Sequence, residues 1–316
     1  MCKGCQRTVN FSESRKAEVQ LRRINLPRTT VNKLETQAGG GNCAKLASMD
    51  YDESSSSPEE PLPGTFSTLT KVGNTVRRST GPWTPAVHAL LRHLERAGFD
   101  GAPRVLGVDD RGREILTYIP GEVTRIASPE VATDQALVEV SLLLRRYHEA
   151  VSSFSLPPDV EWHGGDDSAA GSVVCHNDLA PRNTVFRGGS PVAFLDFDLA
   201  SPALPAWDVA HLAWQFVPLA DDAGCERHGW SSPPDRLGRL RLLRDGYGLS
   251  ERERIGLPEL LALRMQASAS GIEALAADGV PAHRRWAEEG VPDLIRADRD
   301  WVERHREVLL GAILGQ

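Results

Sequence analysis

The chain is short of the features that would place it in a membrane or outside the cell. No apolar run is long enough to span a bilayer and no signal-peptide core follows Met1, so the expected location is the cytoplasm. The five cysteines are odd in number and scattered at 2, 5, 43, 175 and 225, which excludes a paired disulfide framework and suits a reducing compartment. Cys2-x2-Cys5 is half a zinc site, and no second Cys or His pair follows at a suitable spacing. Sustained apolar periodicity is missing from the first 60 residues. They contain Gly39-Gly-Gly41 and Ser54-Ser-Ser-Ser57 and run into Pro58-Glu-Glu-Pro61, so residues 1–60 are expected to be a disordered extension or linker, and Met49 offers a second possible start.

Positive charge is also scarce outside that segment. Residues 1–48 carry nine Lys and Arg against three acids, a net of +6, which leaves 27 basic and 40 acidic side chains, a net of −13, on the other 268 residues. A body that acidic repels nucleic acid and suits a cationic partner, so nucleic acid is expected only at residues 1–48, if anywhere. There, within 14–35, Leu21 to Leu34 resembles the turn and second helix of a helix-turn-helix, with Asn25 able to take the left-handed turn conformation. The polar flanks do not supply the three helices such a unit needs to bury a core.

What is present is a group of oxygen donors. His176-Asn-Asp178-Leu-Ala-Pro-Arg-Asn183 is followed thirteen residues later by Asp196, in Leu195-Asp-Phe-Asp198. Asp178 is spaced to accept or orient a hydroxyl proton, Asn183 offers an amide oxygen to a hard cation, and Asp196 offers a carboxylate to bridge metal and phosphates. Phosphoryl transfer asks little more of a protein than this positioning. By accident, His-x-Asp-x4-Asn should occur in on the order of one chain in a hundred of this composition. The strand-like run ending in Asp-Phe-Asp is a second coincidence. Ser172–Cys175, Thr184–Phe186 and Pro191–Leu195 read as short strands, the last two joined by an Arg187-Gly-Gly-Ser190 turn. A hairpin there would bring Asn183 and Asp196 to one end of a single ribbon.

At these residues the chain resembles the aminoglycoside phosphotransferase family, small-molecule kinases of the protein-kinase-like fold. The resemblance runs from about Leu62 to at least Trp214 and more loosely through the C-terminal third. It implies an α+β, two-lobed fold, with a β-rich nucleotide-binding lobe over 61–120 and a mainly helical catalytic and substrate-binding lobe over 121–316. It implies ATP and magnesium as cofactors, Asp178 as the catalytic aspartate, Asn183 and Asp196 as metal ligands, and His176 as a structural loop residue. Asn177 stands where many members have glycine, and Asp198 where protein kinases have the glycine of Asp-Phe-Gly. Pro205-Ala-Trp207-Asp208-Val-Ala-His211 resembles the segment whose buried aspartate bonds the backbone of the catalytic loop. Read from the residues alone, Asp208 is equally a helix N-terminal acid.

The same resemblance places the nucleotide upstream. Thr65–Lys71, a Gly73-Asn74 turn and Val76-Arg-Arg78 read as a hairpin, with Gly64 and its neighbours over the phosphates. The family's phosphate-binding lysine has no counterpart here. Arg77 or Arg78 must replace it, one facing the cleft and one away, and Arg77 is the assignment made. The helix from Thr84 to Glu95 should supply a glutamate to that cation but holds Pro85, Val87 and His88 near the place. Thr117, Tyr118 and Ile119 are the expected hinge that reads adenine, with Leu195 in the pocket.

From Thr133 an apolar stripe of Leu137, Val140, Leu144, Tyr147 and Val151 marks a core helix, on which His148 reads as a packing residue. Arg236 to Leu314 reads as helices broken at Gly248, Pro258, Gly279 and Gly290. The acceptor is expected to be a small-molecule hydroxyl, aminoglycoside-like or on another hydroxylated amine, cationic ones included, with Asp166, Asp167, Asp221, Asp222, Glu226, Glu288 and Glu289 as candidate contacts. The alternatives are a small-alcohol kinase of the choline or homoserine type and a nucleotide-binding pseudokinase or regulator, the latter motivated by the missing glutamate and by the basic N-terminus.

Overall fold

The computed structural model describes residues 58–62, 69–124, 128, 132–155, 157–158, 160–163 and 171–316. The helix-turn-helix resemblance, the Cys2-x2-Cys5 pair, Gly64 with the turn around it, and Asp166 and Asp167 lie outside them.

The upstream part is an antiparallel sheet. Its strands are β1 (Glu59–Leu62), β2 (Leu69–Val72), β3 (Thr75–Ser79), β4 (Val105–Val108) and β5 (Arg113–Thr117), in the order β1-β2-β3-β5-β4. The first begins two residues inside the segment expected to be linker. Its exposed acids gave no alternating pattern, and it holds its place by pairing along the edge of β2. The β2–β3 hairpin closes through Gly73, whose φ of 57° glycine adopts at no steric cost. Helix α1 (Thr84–Arg96) covers the sheet with Ala86, Val87, Leu90, Leu91 and Leu94, a buried stripe at helical spacing.

Beyond β5 the chain is pinned to the downstream part. The N–H and carbonyl of Glu122 exchange hydrogen bonds of 2.8 Å with Phe186. Gly121 lies so close that a Cβ there would collide with the Phe186 carbonyl oxygen.

The downstream part is built on α2 (Asp134–Val151), started by Thr133, whose hydroxyl accepts from the Ala136 N–H at 3.0 Å. Leu137, Val140, Leu144, Tyr147 and Val151 are all buried, each stabilising the fold by roughly 1.5–3 kcal/mol relative to exposure. Two short antiparallel ribbons lie against this helix: β6 (Val173–Cys175) with β9 (Ser201–Ala203), and β7 (Thr184–Arg187) with β8 (Ser190–Phe194). The helices α3 (Pro205–Phe216), α4 (Asp222–Arg227), α5 (Arg236–Tyr247), α6 (Glu251–Ala277), α7 (Pro281–Glu288), α8 (Val291–Arg304) and α9 (Arg306–Leu314) complete it.

The expected helix breaks at Gly248, Gly279 and Gly290 are present, all three at positive φ. The break at Pro258 is not: α6 runs through it. An interior proline costs a helix about 3 kcal/mol. Here Leu257, Pro258, Leu260 and Leu261 are all buried, and the helix packs on α3 and α8. The Ser250–Glu253 capping box holds its start. Tertiary burial outweighs the local penalty.

Candidate active site

The segment after β6 is held by its backbone. Asp208, fully buried in the first turns of α3, accepts the His176 N–H at 2.7 Å and the Asn177 N–H at 2.8 Å, one on each carboxylate oxygen. His148 approaches the same carboxylate at 3.1 Å and also bonds the Tyr247 hydroxyl at 2.8 Å. Burial disfavours the charged form of Asp208, but the His148 hydrogen bond and the donors around it outweigh that and hold its pKa below the usual range. The geometry of Asp208 is that of a clamp on the loop backbone.

Three more contacts fix the loop. Asn177 has a φ of 64°, a conformation glycine and asparagine reach most easily, which explains why it can stand at a glycine position. His176 Nδ1 accepts the Asp178 N–H at 3.2 Å, so its proton sits on Nε2, which donates to the Leu195 carbonyl at 2.9 Å. His176 therefore ties the loop to the residue before Asp196. From α6, the buried Arg264 donates to the Asn177 carbonyl at 2.6 Å and to His211 Nδ1 at 2.9 Å. Burial lowers its pKa to about 10, which leaves it a cation at neutral pH, while burial and Arg264 together push His211 well below the ordinary imidazole value.

The β7–β8 hairpin brings the oxygen donors together as its spacing predicts. Asn183 immediately precedes β7, Leu195 follows β8, and the Leu195 N–H bonds the Asn183 carbonyl at 2.8 Å. The Asn183 amide nitrogen donates to the Asp178 carboxylate at 2.7 Å and to its carbonyl at 2.8 Å, which leaves the amide oxygen to act as a ligand. Asp196 sits in the left-handed region with a φ of 63°, its side chain 42% exposed. A backbone held there by its surroundings aims the carboxylate.

The cation at these acids is Arg78. Its Nε donates to Glu114 at 2.5 Å, Nη1 to Asp196 at 2.9 Å and Nη2 to Asp198 at 2.5 Å. The assignment of Arg77 is corrected. Arg77 lies on the other face of β3, bonded to Thr75 and 3.9 Å from Asp109, because successive strand side chains alternate. The glutamate sought on α1 comes instead from β5. Glu114 is directly opposite Arg78 in the sheet and also bonds His88 of α1 at 2.7 Å. Burial penalises the Glu114 charge, but His88 and Arg78 overcome that and lower its pKa. Burial opposes the Arg78 charge too, yet Asp198, Glu114 and Asp196 raise its pKa. Asp198 is pushed up by burial, with Arg78 acting in the opposite direction.

At the hinge, the Thr117 N–H bonds the Arg104 carbonyl at 3.0 Å and the Tyr118 N–H bonds the Asn74 carbonyl at 2.8 Å. Among the described residues this leaves the Ile119 N–H without a protein partner. Lys71 lies 4.8 Å from the centre of the Tyr118 ring. Leu195 is half-buried beside the acids.

Of the five candidate acceptor acids among the described residues, three already have partners. Asp221 caps α4 through the Gly224 N–H at 2.7 Å, Asp222 pairs with Arg236 at 2.8 Å, and Glu289 lies 3.7 Å from Arg285. Sequence reasoning missed Glu114, Arg182, His211 and Arg264. It set aside His148, which proves to be a packed residue that also supports Asp208. Among the described residues, His148, Cys175 and Asp208 are the group whose atoms lie close enough, within 4.8 Å of one another, to suggest a softer metal. The hydrogen bonds to Tyr247 and the loop backbone, and those from Cys175 to the carbonyls of Ala203 and Leu204, already use these atoms. The exposed carboxylate of Asp196, already drawing a cation in Arg78, and the amide oxygen left over by the buried Asn183 fit a hard divalent ion far better.

Residues 155–243 match the model of a phosphotransferase enzyme family. The trifolitoxin immunity protein of Rhizobium leguminosarum bv. trifolii is 35% identical over 258 residues, 79% of this chain and 96% of that protein. Among solved structures, a choline/ethanolamine kinase family protein from Mesorhizobium loti superposes with a TM-score of 0.54 at 17% identity, covering 84% of this chain and 95% of that one. An amicoumacin kinase in complex with AMP-PNP and Ca2+ gives 0.54 at 13% identity, covering 78% of this chain and 88% of that one. The shared architecture is the two-lobed α+β fold of these kinases.

Proposed function

Because this chain belongs to the phosphotransferase enzyme family of small-molecule kinases, we propose that it transfers the γ-phosphoryl group of ATP to a hydroxyl of a small molecule in the cleft between its sheet and its helical part, with magnesium as the metal. The observation that carries this is the convergence of Asp178, Asn183 and Asp196 at one end of the β7–β8 hairpin, on a loop fixed by Asp208.

Each residue has a separate task. Asn183 and Asp196 would hold the metal, which supplies charge neutralisation on the phosphates. Asp178 orients the attacking hydroxyl and takes its proton. Arg78, positioned by Glu114, presents a guanidinium to phosphate oxygens, as a planar fork suits. The hinge at Thr117 to Ile119 would read the base, and the Ile119 N–H is the donor there with no protein partner among the described residues. His176 and Asp208 keep the loop in register. Glu114 gives the arginine a carboxylate, which removes one of the two motives for a non-catalytic reading.

The acceptor we infer is a hydroxylated, antibiotic-like molecule, aminoglycosides among them. The likeness to an immunity protein that covers nearly its whole length supports this. Asp178→Ala should lower turnover by about 10²–10⁴ with ATP affinity nearly intact, whereas Asp196→Ala should weaken magnesium-dependent ATP binding, both followed by calorimetry and ADP release. Undiminished turnover in Asp178→Ala would place the chemistry elsewhere.

A further inference from the structure

Resting on the phosphotransferase reading above, we propose that Arg182 is a catalytic residue of this chain, a guanidinium supplied from within the catalytic loop to the phosphoryl group during transfer. Its Nη2 donates to Asp178 Oδ1 at 2.5 Å, four residues back along the loop. A hydroxyl oriented by Asp178 must lie within hydrogen-bond reach of that carboxylate, so Arg182 lies beside the attacking oxygen and the phosphorus it approaches.

The pair has no structural necessity. Asp178 already receives the Asn183 amide on its other oxygen, and the buried Arg264 lies close enough for the two charges to influence each other. Arg182 itself is 38% exposed, between the buried Pro181 and Asn183 of a short 3-10 turn. Ion pairs at that exposure stabilise a fold by about 0–1 kcal/mol. Apart from the Nη2 bond to Asp178, its guanidinium has no hydrogen-bond partner among the described residues, so Nη1 and Nε remain for another acceptor. Arg78 is anchored away from this place by Glu114, Asp196 and Asp198, one bond from each of its nitrogens, which leaves only the second hydrogens of Nη1 and Nη2 for phosphate on the metal side. The cleft thus has one arginine on the metal side and one on the acceptor side.

The step has a defined charge flow. The bond from the acceptor oxygen to Pγ forms as the bond from Pγ to the bridging oxygen breaks, its electron pair leaving on ADP, and the hydroxyl proton passes to Asp178. Charge spread over the equatorial oxygens during that exchange is what Arg182 would bind, and an arginine in this role is worth about 10³–10⁵ in rate.

The test needs no identified acceptor. Mg-ADP binding is measured by calorimetry on the full chain with and without aluminium fluoride, a planar mimic of the transferring group, and slow ATP hydrolysis is followed alongside. Wild type should bind Mg-ADP at least about tenfold more tightly with the fluoride, and Arg182→Ala should lose that gain while its Mg-ADP affinity stays within about threefold, which also shows that the variant is folded. Hydrolysis should fall in parallel, and Arg182→Lys should recover only part, since it keeps charge without the fork. An undiminished fluoride gain in Arg182→Ala would overturn the proposal. A wild type that binds no Mg-nucleotide at all would instead overturn the phosphotransferase reading, and this proposal with it.

Discussion

Arg78 is where the sheet meets the catalytic hairpin. Its neighbour Arg77 has the same chemistry and is also buried, yet the pleat of β3 sends it to Asp109 and Thr75. The charge of Arg78 is kept in place by Glu114, whose carboxylate is shared with His88. Glu114→Gln should therefore raise the ATP dissociation constant by about tenfold, roughly 1.4 kcal/mol, because the guanidinium loses its charged anchor and is left to Asp196 and Asp198 alone. Titration calorimetry checks this, and an unchanged constant would remove Glu114 from the account. Residue-scale detail was only partly legible in the sequence. Asp178, Asn183 and Asp196 stand out because two carboxylates and an amide fall at fixed spacing in one short stretch. Arg78 and Glu114 are 36 positions apart, and only the pairing of β3 with β5 makes them neighbours.

At the scale of elements, α3 and the catalytic loop behave as one piece because a single buried carboxylate joins them. Asp208 has a folded pKa below its unfolded value of about 3.9. The folded state thus binds fewer protons in that window. The resulting stability is fully present above the unfolded pKa and is lost as pH falls through the folded one. Urea unfolding between about pH 5 and 2.5 should show this loss in wild type and a shallower pH slope in Asp208→Asn, which should also be less stable by about 1–3 kcal/mol at neutral pH. Equal slopes would mean that Asp208 titrates alike in both states. Elements were legible where periodicity was strong, as in α2, and where a turn was short, as in the β7–β8 hairpin. They were not legible at β1, whose exposed acids carry no alternating pattern, nor at Pro258, where burial outweighs a local signal of about 3 kcal/mol. Arg264 and His211 were missed because nothing in their own stretches says that α6 packs on the loop at Asn177.

For the whole molecule, the two-part architecture follows from the break in pattern near Pro120, strand-like before it and helical after. By charge alone, the acidic balance of residues 49–316 suits a cationic acceptor. The structure commits Asp221, Asp222 and Glu289 to capping or ion pairs and sets Arg182 and Arg264 around Asp178, so net charge says little about the acceptor at the site itself. The central claim is phosphoryl transfer from ATP to a hydroxyl through Asp178. Its most direct test is ADP release with Mg-ATP across a panel of aminoglycosides, choline and other small alcohols, in wild type beside Asp178→Ala. The account predicts release that depends on at least one acceptor and disappears in the variant; acceptor-dependent release that persists in Asp178→Ala would contradict it.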